Sequence, residues 1–277
     1  MSEPSTENDA QREFWNGPVA ESWVARADHF ERGFTGITET LLDFVAPEPD
    51  MNVLDIGCGA GALTAVLAKR VAPGKAVGLD ISSLFIEAAR ARYGAFAEFH
   101  EADAADAPFT PEYDLVTSRF GLMFFADPWR AFANIRKALK PGGRLAFTCW
   151  CPMVEVPSLI EPYRAAEPFL PPAEPTPPNA PGPFGLADSD RTRKILSDSG
   201  WRDIRIEKAM PTSLLGTTLE EALDQTLNLG PLARQTRELD PAAKARVREA
   251  ITPVVKSFRS EEGYTPKVAI WLVEARA

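Results

Sequence analysis

Short apolar runs alternate with helical periods between Met51 and Trp150. The runs MNVLDIG (51–57), KAVGLDI (75–81), AEFHEAD (97–103), YDLVTSR (113–119) and RLAFTCW (144–150) read as buried strands, because continuous apolar stretches of this length suit a sheet covered on both faces. Helical periods separate them, so the alternation predicts βαβ units and a parallel sheet. The clearest helix starts at Asp127-Pro128, a capping side chain followed by proline at the first helical position. It places Phe132, Ile135 and Leu139 on one face and stops at Lys140-Pro141-Gly142-Gly143.

On either side the pattern changes. Residues 11–46 suggest two helices, the first restarting at Pro18 and presenting Val19, Trp23 and Ala27 on one side. Residues 152–183 hold eleven of the chain's 25 prolines, which predicts a crossing or flap without regular elements. A helix follows from about Ser189 to Ser197 with Gly200 near its end, then a strand from Trp201 to Ala209. Thr217 with Glu220 forms a capping-box pattern, and Asp240-Pro241 repeats the cap-plus-proline start. The closing KVAIWLVEARA (267–277) is rich in strand formers and reads as a seventh strand.

Composition narrows the classes. An apolar share of 45% with 25% charged residues excludes wholesale disorder. The net charge of -9 opposes binding to a phosphate backbone, and the densest basic stretch, Lys244 to Arg248, reads as a solvated helix face. Cys58, Cys149 and Cys151 are too few for a disulfide framework or a structural zinc site; Cys149 and Cys151, two apart, are expected on the same face of a strand. The first ten residues are polar and acidic, and no 18-residue apolar run follows, so a cytoplasmic protein without membrane insertion is expected.

The stretch VLDIGCGAGALT (53–64) carries the chemistry. It sets a strand, then Gly57, Gly59 and Gly61, then a helix, at the carboxyl end where open α/β sheets bind ligands. Glycines let backbone N–H groups approach a ligand closely, and the helix N-terminus favours an anionic group. Asp80 ends the second strand 23 residues after Gly57, where a carboxylate can accept from ribose hydroxyls. The same glycines satisfy the looser dinucleotide fingerprint, so an NAD-dependent oxidoreductase is a competing reading. Asp55 before the loop, Asp103 after the third strand and the KPGG turn (140–143) favour another adenosine ligand.

With these residues in that order, the sequence resembles the class I S-adenosylmethionine-dependent methyltransferases, in the ubiquinone/menaquinone-biosynthesis-like (methyltransferase type 11) small-molecule branch. The likeness is strong over about residues 51–150. FWNGPVAESW (14–23) and GPFGLADSDRTRKILSDSGW (182–201) also resemble one bacterial subgroup. It implies an α/β fold: a Rossmann-like seven-stranded, mostly parallel sheet with helices on both faces, capped by helices from the N-terminus and the C-terminal half. The expected divisions are a lid over 1–46, a cofactor core over 47–150, a proline-rich crossing over 151–188, and the end of the sheet over 189–277 with cap helices inserted at about 212–262.

The resemblance implies S-adenosyl-L-methionine as cofactor, S-adenosyl-L-homocysteine as product, and no metal. Gly57, Cys58 and Gly59 would line the methionine part, with Asp55 shaping the loop. Asp80 would hold the ribose, Ile81 would lie against the adenine, Asp103 would meet its amine, and Ala104 would address a ring nitrogen. Ser118 and Arg119 would lie near the transferred methyl. Thr64 and Trp23 are candidates for the carboxylate, and Trp15 would close the cleft. Asn16, Phe120, Met123 and Phe124 are expected around a small apolar or aromatic acceptor, His29 is the candidate base, and His100 reads as structural.

Transfer from a sulfonium is an in-line displacement, so positioning can supply about 7–11 kcal/mol of barrier reduction without a catalytic triad. A catalytically silent cofactor-binding or scaffolding protein is the rival outside enzymology. Expected partners are a small-molecule acceptor and no nucleic acid, in a monomer or homodimer.

Overall fold

Alternate residues of each central strand feed two different cores, which is why these strands read as unbroken apolar runs. The computed structural model describes residues 6–172, 177, 179–228 and 230–277. In chain order the sheet strands are β1 (Asn52–Ile56), β2 (Lys75–Asp80), β3 (Glu98–Glu101), β4 (Tyr113–Arg119), β5 (Leu139–Trp150), β6 (Arg202–Ala209) and β7 (Ile270–Arg276). They lie in the order β3-β2-β1-β4-β5-β7-β6. The first five are parallel, and β7 runs antiparallel between β5 and β6. Chain order reverses between β1 and β4, and ligands bind outside the carboxyl ends of the strands at such a switch.

Leu54, Ile56, Val116, Leu145 and Phe147 enter one core; Val53, Leu115 and Ala146 enter the other. The helices, in chain order, are α1 (Thr6–Phe14), α2 (Pro18–Ala25), α3 (Ala27–Gly33), α4 (Thr35–Val45), α5 (Ala62–Val71), α6 (Ser83–Tyr93), α7 (Pro128–Ile135), α8 (Pro157–Ala166), α9 (Ser189–Asp198), α10 (Leu219–Asn228), α11 (Gly230–Thr236) and α12 (Pro241–Ser257). Phe132 and Ile135 of α7 and Leu196 of α9 fill the first core. There Trp201 donates its indole N–H to the Phe132 carbonyl at 3.1 Å. Ile37 and Leu41 of α4 pack with Leu63 and Leu67 of α5 in the second. Asp127 and Asp240 cap α7 and α12 as their sequence signals predict, each standing just before a proline and accepting the backbone N–H two residues beyond it.

Several local expectations are corrected. Among the described residues the N-terminal region holds four helices, broken at Arg26 and Phe34, whose backbones leave the helical region. The proline-rich stretch contains α8: Pro157 sits at the first helical position, and Pro162 only removes the donor that would reach the Ser158 carbonyl. Residues 173–176 and 178 of that stretch lie outside the described residues. Ala166 of α8 joins Leu223, Val247, Ile251 and Val255 of the cap helices in a third cluster.

The capping box falls one residue later than its pattern suggests. Thr218 Oγ1 accepts from the Glu221 N–H at 3.2 Å, while Glu221 reaches back to Thr217 and Thr218. Leu139 already belongs to β5, because α7 tightens into a 3₁₀ turn over Arg136–Ala138. Cys149 and Cys151 enter opposite cores, because the strand ends at Trp150 between them. His100 lies exposed on the edge strand β3 beside Glu98. Among the described residues no helix is long and apolar enough to cross a membrane.

Phe132 is fully buried and packs against Phe147 with ring centroids 5.8 Å apart. Phe132→Ala should lower unfolding free energy by about 3–5 kcal/mol in urea denaturation. A loss below about 1 kcal/mol would show that this core can collapse around the gap.

Candidate active site

The chain leaves β1 through three glycines with positive φ: Gly57 at 67°, Gly59 at 54° and Gly61 at 87°. At Gly57 the reason is also steric, because a Cβ there would stand 2.6 Å from the Cα of Gly121 in the loop after β4. At Gly59 a Cβ would meet nothing within 4 Å, so this side of the loop faces open space. The Gly57 and Cys58 N–H groups both donate to the Leu79 carbonyl, at 2.8 and 3.1 Å, which ties the loop to β2. The buried Cys58 side chain turns inward beside Gly78 and Phe99, so only its backbone faces the loop.

Two buried carboxylates flank this loop. Asp80 Oδ2 accepts from the Gly59 N–H and Oδ1 from the Ser82 N–H, each at 2.9 Å, so one side chain braces both the glycine loop and the start of α6. A carboxylate offers about four lone-pair sites, so these bonds leave room for further donors. Half-buried Ile81 follows it into α6. Asp55 is 1% exposed. Its Oδ2 accepts from the hydroxyl of Thr64 at 2.7 Å, while its Oδ1 is buried with no hydrogen-bond partner. Thr64 itself is fully buried, with its hydroxyl committed to Asp55.

At the end of β3, Asp103 folds its own loop by accepting the Ala105 N–H on Oδ1 at 2.8 Å. Its Oδ2 accepts from the Asn8 amide of α1 at 2.6 Å. Ala104 is buried, with its carbonyl held by Asn134 at 3.0 Å. Asn16, expected by the acceptor, instead caps α6: its Oδ1 accepts from the Ser83 N–H and hydroxyl, both at 2.9 Å. Two serines opening that helix give a side-chain oxygen more donors than an apolar pocket would. Trp15 wedges between Phe85 and Phe124, with ring centroids 6.0 and 5.1 Å away.

Around the end of β4, Ser118 Oγ accepts from the Gly121 N–H at 3.1 Å. Arg119 does not point freely into a cleft. Its guanidinium donates to both oxygens of Glu31, at 2.9 and 2.6 Å, and to Thr38 at 2.6 Å, while lying over the Phe34 ring. Phe120 adopts φ 67°, uncommon for a residue with a side chain, and stacks on Trp150 with centroids 4.5 Å apart. Phe34 adds a third ring at 5.8 Å from Phe120. Met123 is a correction: the 3₁₀ turn over Leu122–Phe124 rolls it into the core, leaving it 3% exposed. Phe124 stays half-buried against Trp15.

Trp23 and His29 are likewise redirected. Trp23 stacks on Phe30 at 4.1 Å within the N-terminal helices, because α3 offers it an aromatic partner at close range. His29 Nε2 lies 2.7 Å from Gln225 Oε1 of α10 and borders a recess of about 240 Å³ between α3 and the segment Leu214–Thr217. Glu31, two residues on, faces Arg119; helical residues two apart point to opposite sides, so His29 is turned from the end of β4.

Comparison with known proteins shows what this core resembles. Residues 54–147 match the family model described as "Methyltransferase domain". This stretch is similar to methyltransferase domains. The domain and its surroundings are 33% identical over 121 residues to nocamycin O-methyltransferase of Saccharothrix syringae, covering 42% of this chain and 43% of that protein. They are 37% identical over 117 residues to demethylmenaquinone methyltransferase of Symbiobacterium thermophilum, covering 39% and 46%. The chain thus spans less than half the length of these relatives. The fold is shared with phosphoethanolamine N-methyltransferase 2 of Haemonchus contortus, solved in complex with S-adenosyl-L-methionine, with a TM-score of 0.55, 16% identity and coverage of 99% of this chain and 60% of that one.

Within this core, burial pushes the Asp55 carboxyl up to about 7 against the pull of the Thr64 hydrogen bond and the Arg119 charge. Burial also lifts Asp80 to about 6 against the N–H groups of Ser82 and Gly59. Folding therefore favours the protonated forms of both relative to an ordinary carboxyl near 3.8. Their stabilising contribution is fully present below about pH 4 and is lost as pH rises through about 6 and 7. Asp55→Asn removes one of these titrations, so its urea midpoint should change less between about pH 5 and pH 8 than that of the unsubstituted protein. Equal slopes for the two proteins would contradict the raised carboxyl.

Proposed function

We propose that this protein transfers a methyl group from S-adenosyl-L-methionine to a small apolar or aromatic acceptor. One observation carries the cofactor: the orphaned, buried Asp55 Oδ1 and the unused lone pairs of Asp80 stand on either side of a loop that is open at Gly59. A ligand with an ammonium at one end and a ribose at the other supplies donors for both. The site fits that group: Asp55 would take the ammonium, Asp80 the ribose hydroxyls, and the backbone from Gly57 to Gly59 the methionine chain. When bound, the cofactor supplies a sulfonium methyl that already carries its leaving group.

The chain's own work is positional. The acceptor reading rests on the rings of Phe34, Phe120 and Trp150 grouped beyond β4 and β5, a wall suited to a flat or greasy molecule. Holding an acceptor atom about 3–3.5 Å from the methyl, in line with sulfur, is worth about 7–11 kcal/mol. The bidentate Arg119–Glu31 pair fixes α3 over the end of β4, so the N-terminal helices form one side of the enclosure and the cap helices of the C-terminal half another. The names of the two methyltransferase relatives accord with a small-molecule acceptor.

Purified protein incubated with S-adenosyl-L-methionine and a panel of phenols, quinols and aliphatic alcohols should release S-adenosyl-L-homocysteine with at least one aromatic member. It should not turn over NAD. Asp80→Ala should weaken product affinity by roughly 100-fold, since it removes hydrogen bonds to a charged group and the brace of the loop. Hydride transfer to NAD, or silence across the panel together with no cofactor affinity, would overturn the proposal.

A further inference from the structure

The α1 helix is held across the carboxyl ends of β3 and β4 by polar contacts to the loops that follow them. Asn8 donates its amide to Asp103 Oδ2 at 2.6 Å and accepts the Ala126 N–H on its Oδ1 at 3.4 Å. Arg12 pairs with Glu101 at 3.6 Å, and Asn16 returns its own amide to the Arg12 carbonyl at 2.8 Å while capping α6. Trp15 fills the gap between α6 and the loop after β4. The donor reaching Asp103 is thus a neutral N–H₂ group supplied by the chain itself.

An adenine amine is also a neutral N–H₂ donor attached to a planar group. We infer that Asn8 is a built-in competitor for the adenine end of the cofactor and that it sets cofactor affinity. This rests on the methyltransferase reading, in which Asp103 receives the adenine amine. Asp103 Oδ1 is engaged by the Ala105 N–H and Oδ2 by the Asn8 amide; a lone pair remains on each, but a planar amine arriving at Oδ2 contends with the Asn8 group for the same approach. Cofactor entry then displaces Asn8, and the amino-terminal half of α1 lets go while Asn16 keeps the following turn on α6. The cost of that displacement lowers the observed affinity, as for any ligand that binds only one of two conformations.

Calorimetric titration of S-adenosyl-L-homocysteine into the full chain and into Asn8→Ala tests this. Removing the competitor should tighten binding about tenfold, the worth of one hydrogen bond to a charged acceptor. Asn8→Asp, which sets a carboxylate against Asp103, should tighten it comparably. Hydrogen exchange over residues 6–14 should quicken when the ligand is added to the unsubstituted protein, whereas a ligand that merely docks against α1 would slow it. Equal affinities for all three proteins, or weaker binding by Asn8→Ala, would overturn the inference and leave the methyltransferase reading standing. No binding by any of them would overturn both.

Discussion

The structure depends on one buried carboxylate. Asp80 ends β2 and takes one N–H from the glycine loop and one from the first turn before α6, so two segments at the carboxyl ends of the strands are held by a single side chain. Without it, the loop from Gly57 to Gly59 would rely on the Leu79 carbonyl and the buried Cys58 side chain to tie it to the sheet. Burial makes this brace electrostatically expensive, which is visible in the upward displacement of both Asp80 and Asp55. A site that stores unpaired acceptor capacity in a dry place is built to receive donors from elsewhere. Asp55 Oδ1 states the same fact more plainly, because few buried oxygens remain unpaired in folded proteins.

From Asp80 the order spreads outward along hydrogen bonds. Ser82 caps α6 through the Phe85 N–H, Asn16 covers the adjoining Ser83, and the N-terminal helices are thereby attached at the carboxyl ends of the strands. On the other side of the same opening, Arg119 grips Glu31 and Thr38. The N-terminal helices are consequently fastened on both sides of β1, beyond the ends of β2 and β4. Gly57 and Gly121, backbone against backbone, keep the floor between these fastenings thin.

Much of this was legible in the chain because it is local. Strand, glycine loop and helix follow one another within residues 53–64, and Asp80 is found by counting to the end of the next strand. Proline at Asp127-Pro128 and Asp240-Pro241 marks helix starts for reasons confined to one turn. What escaped was non-local. Nothing in the neighbourhood of Arg119 names Glu31, 88 positions away, and nothing near Asp103 names Asn8, 95 away. Met123 and Phe124 are adjacent and equally apolar, yet a single 3₁₀ turn sends one into the core and leaves the other against Trp15. The helix α8 was hidden by composition, since a count of prolines cannot distinguish one at the first helical position from one that breaks a helix.

The most direct measurement is a crystal structure of the protein grown with S-adenosyl-L-homocysteine. The ligand should lie across the carboxyl ends of β1 and β2, with ribose hydroxyls on Asp80 and the ammonium on the Oδ1 of Asp55. A ligand seated elsewhere, or one that leaves Asp55 Oδ1 without a donor, would contradict that placement.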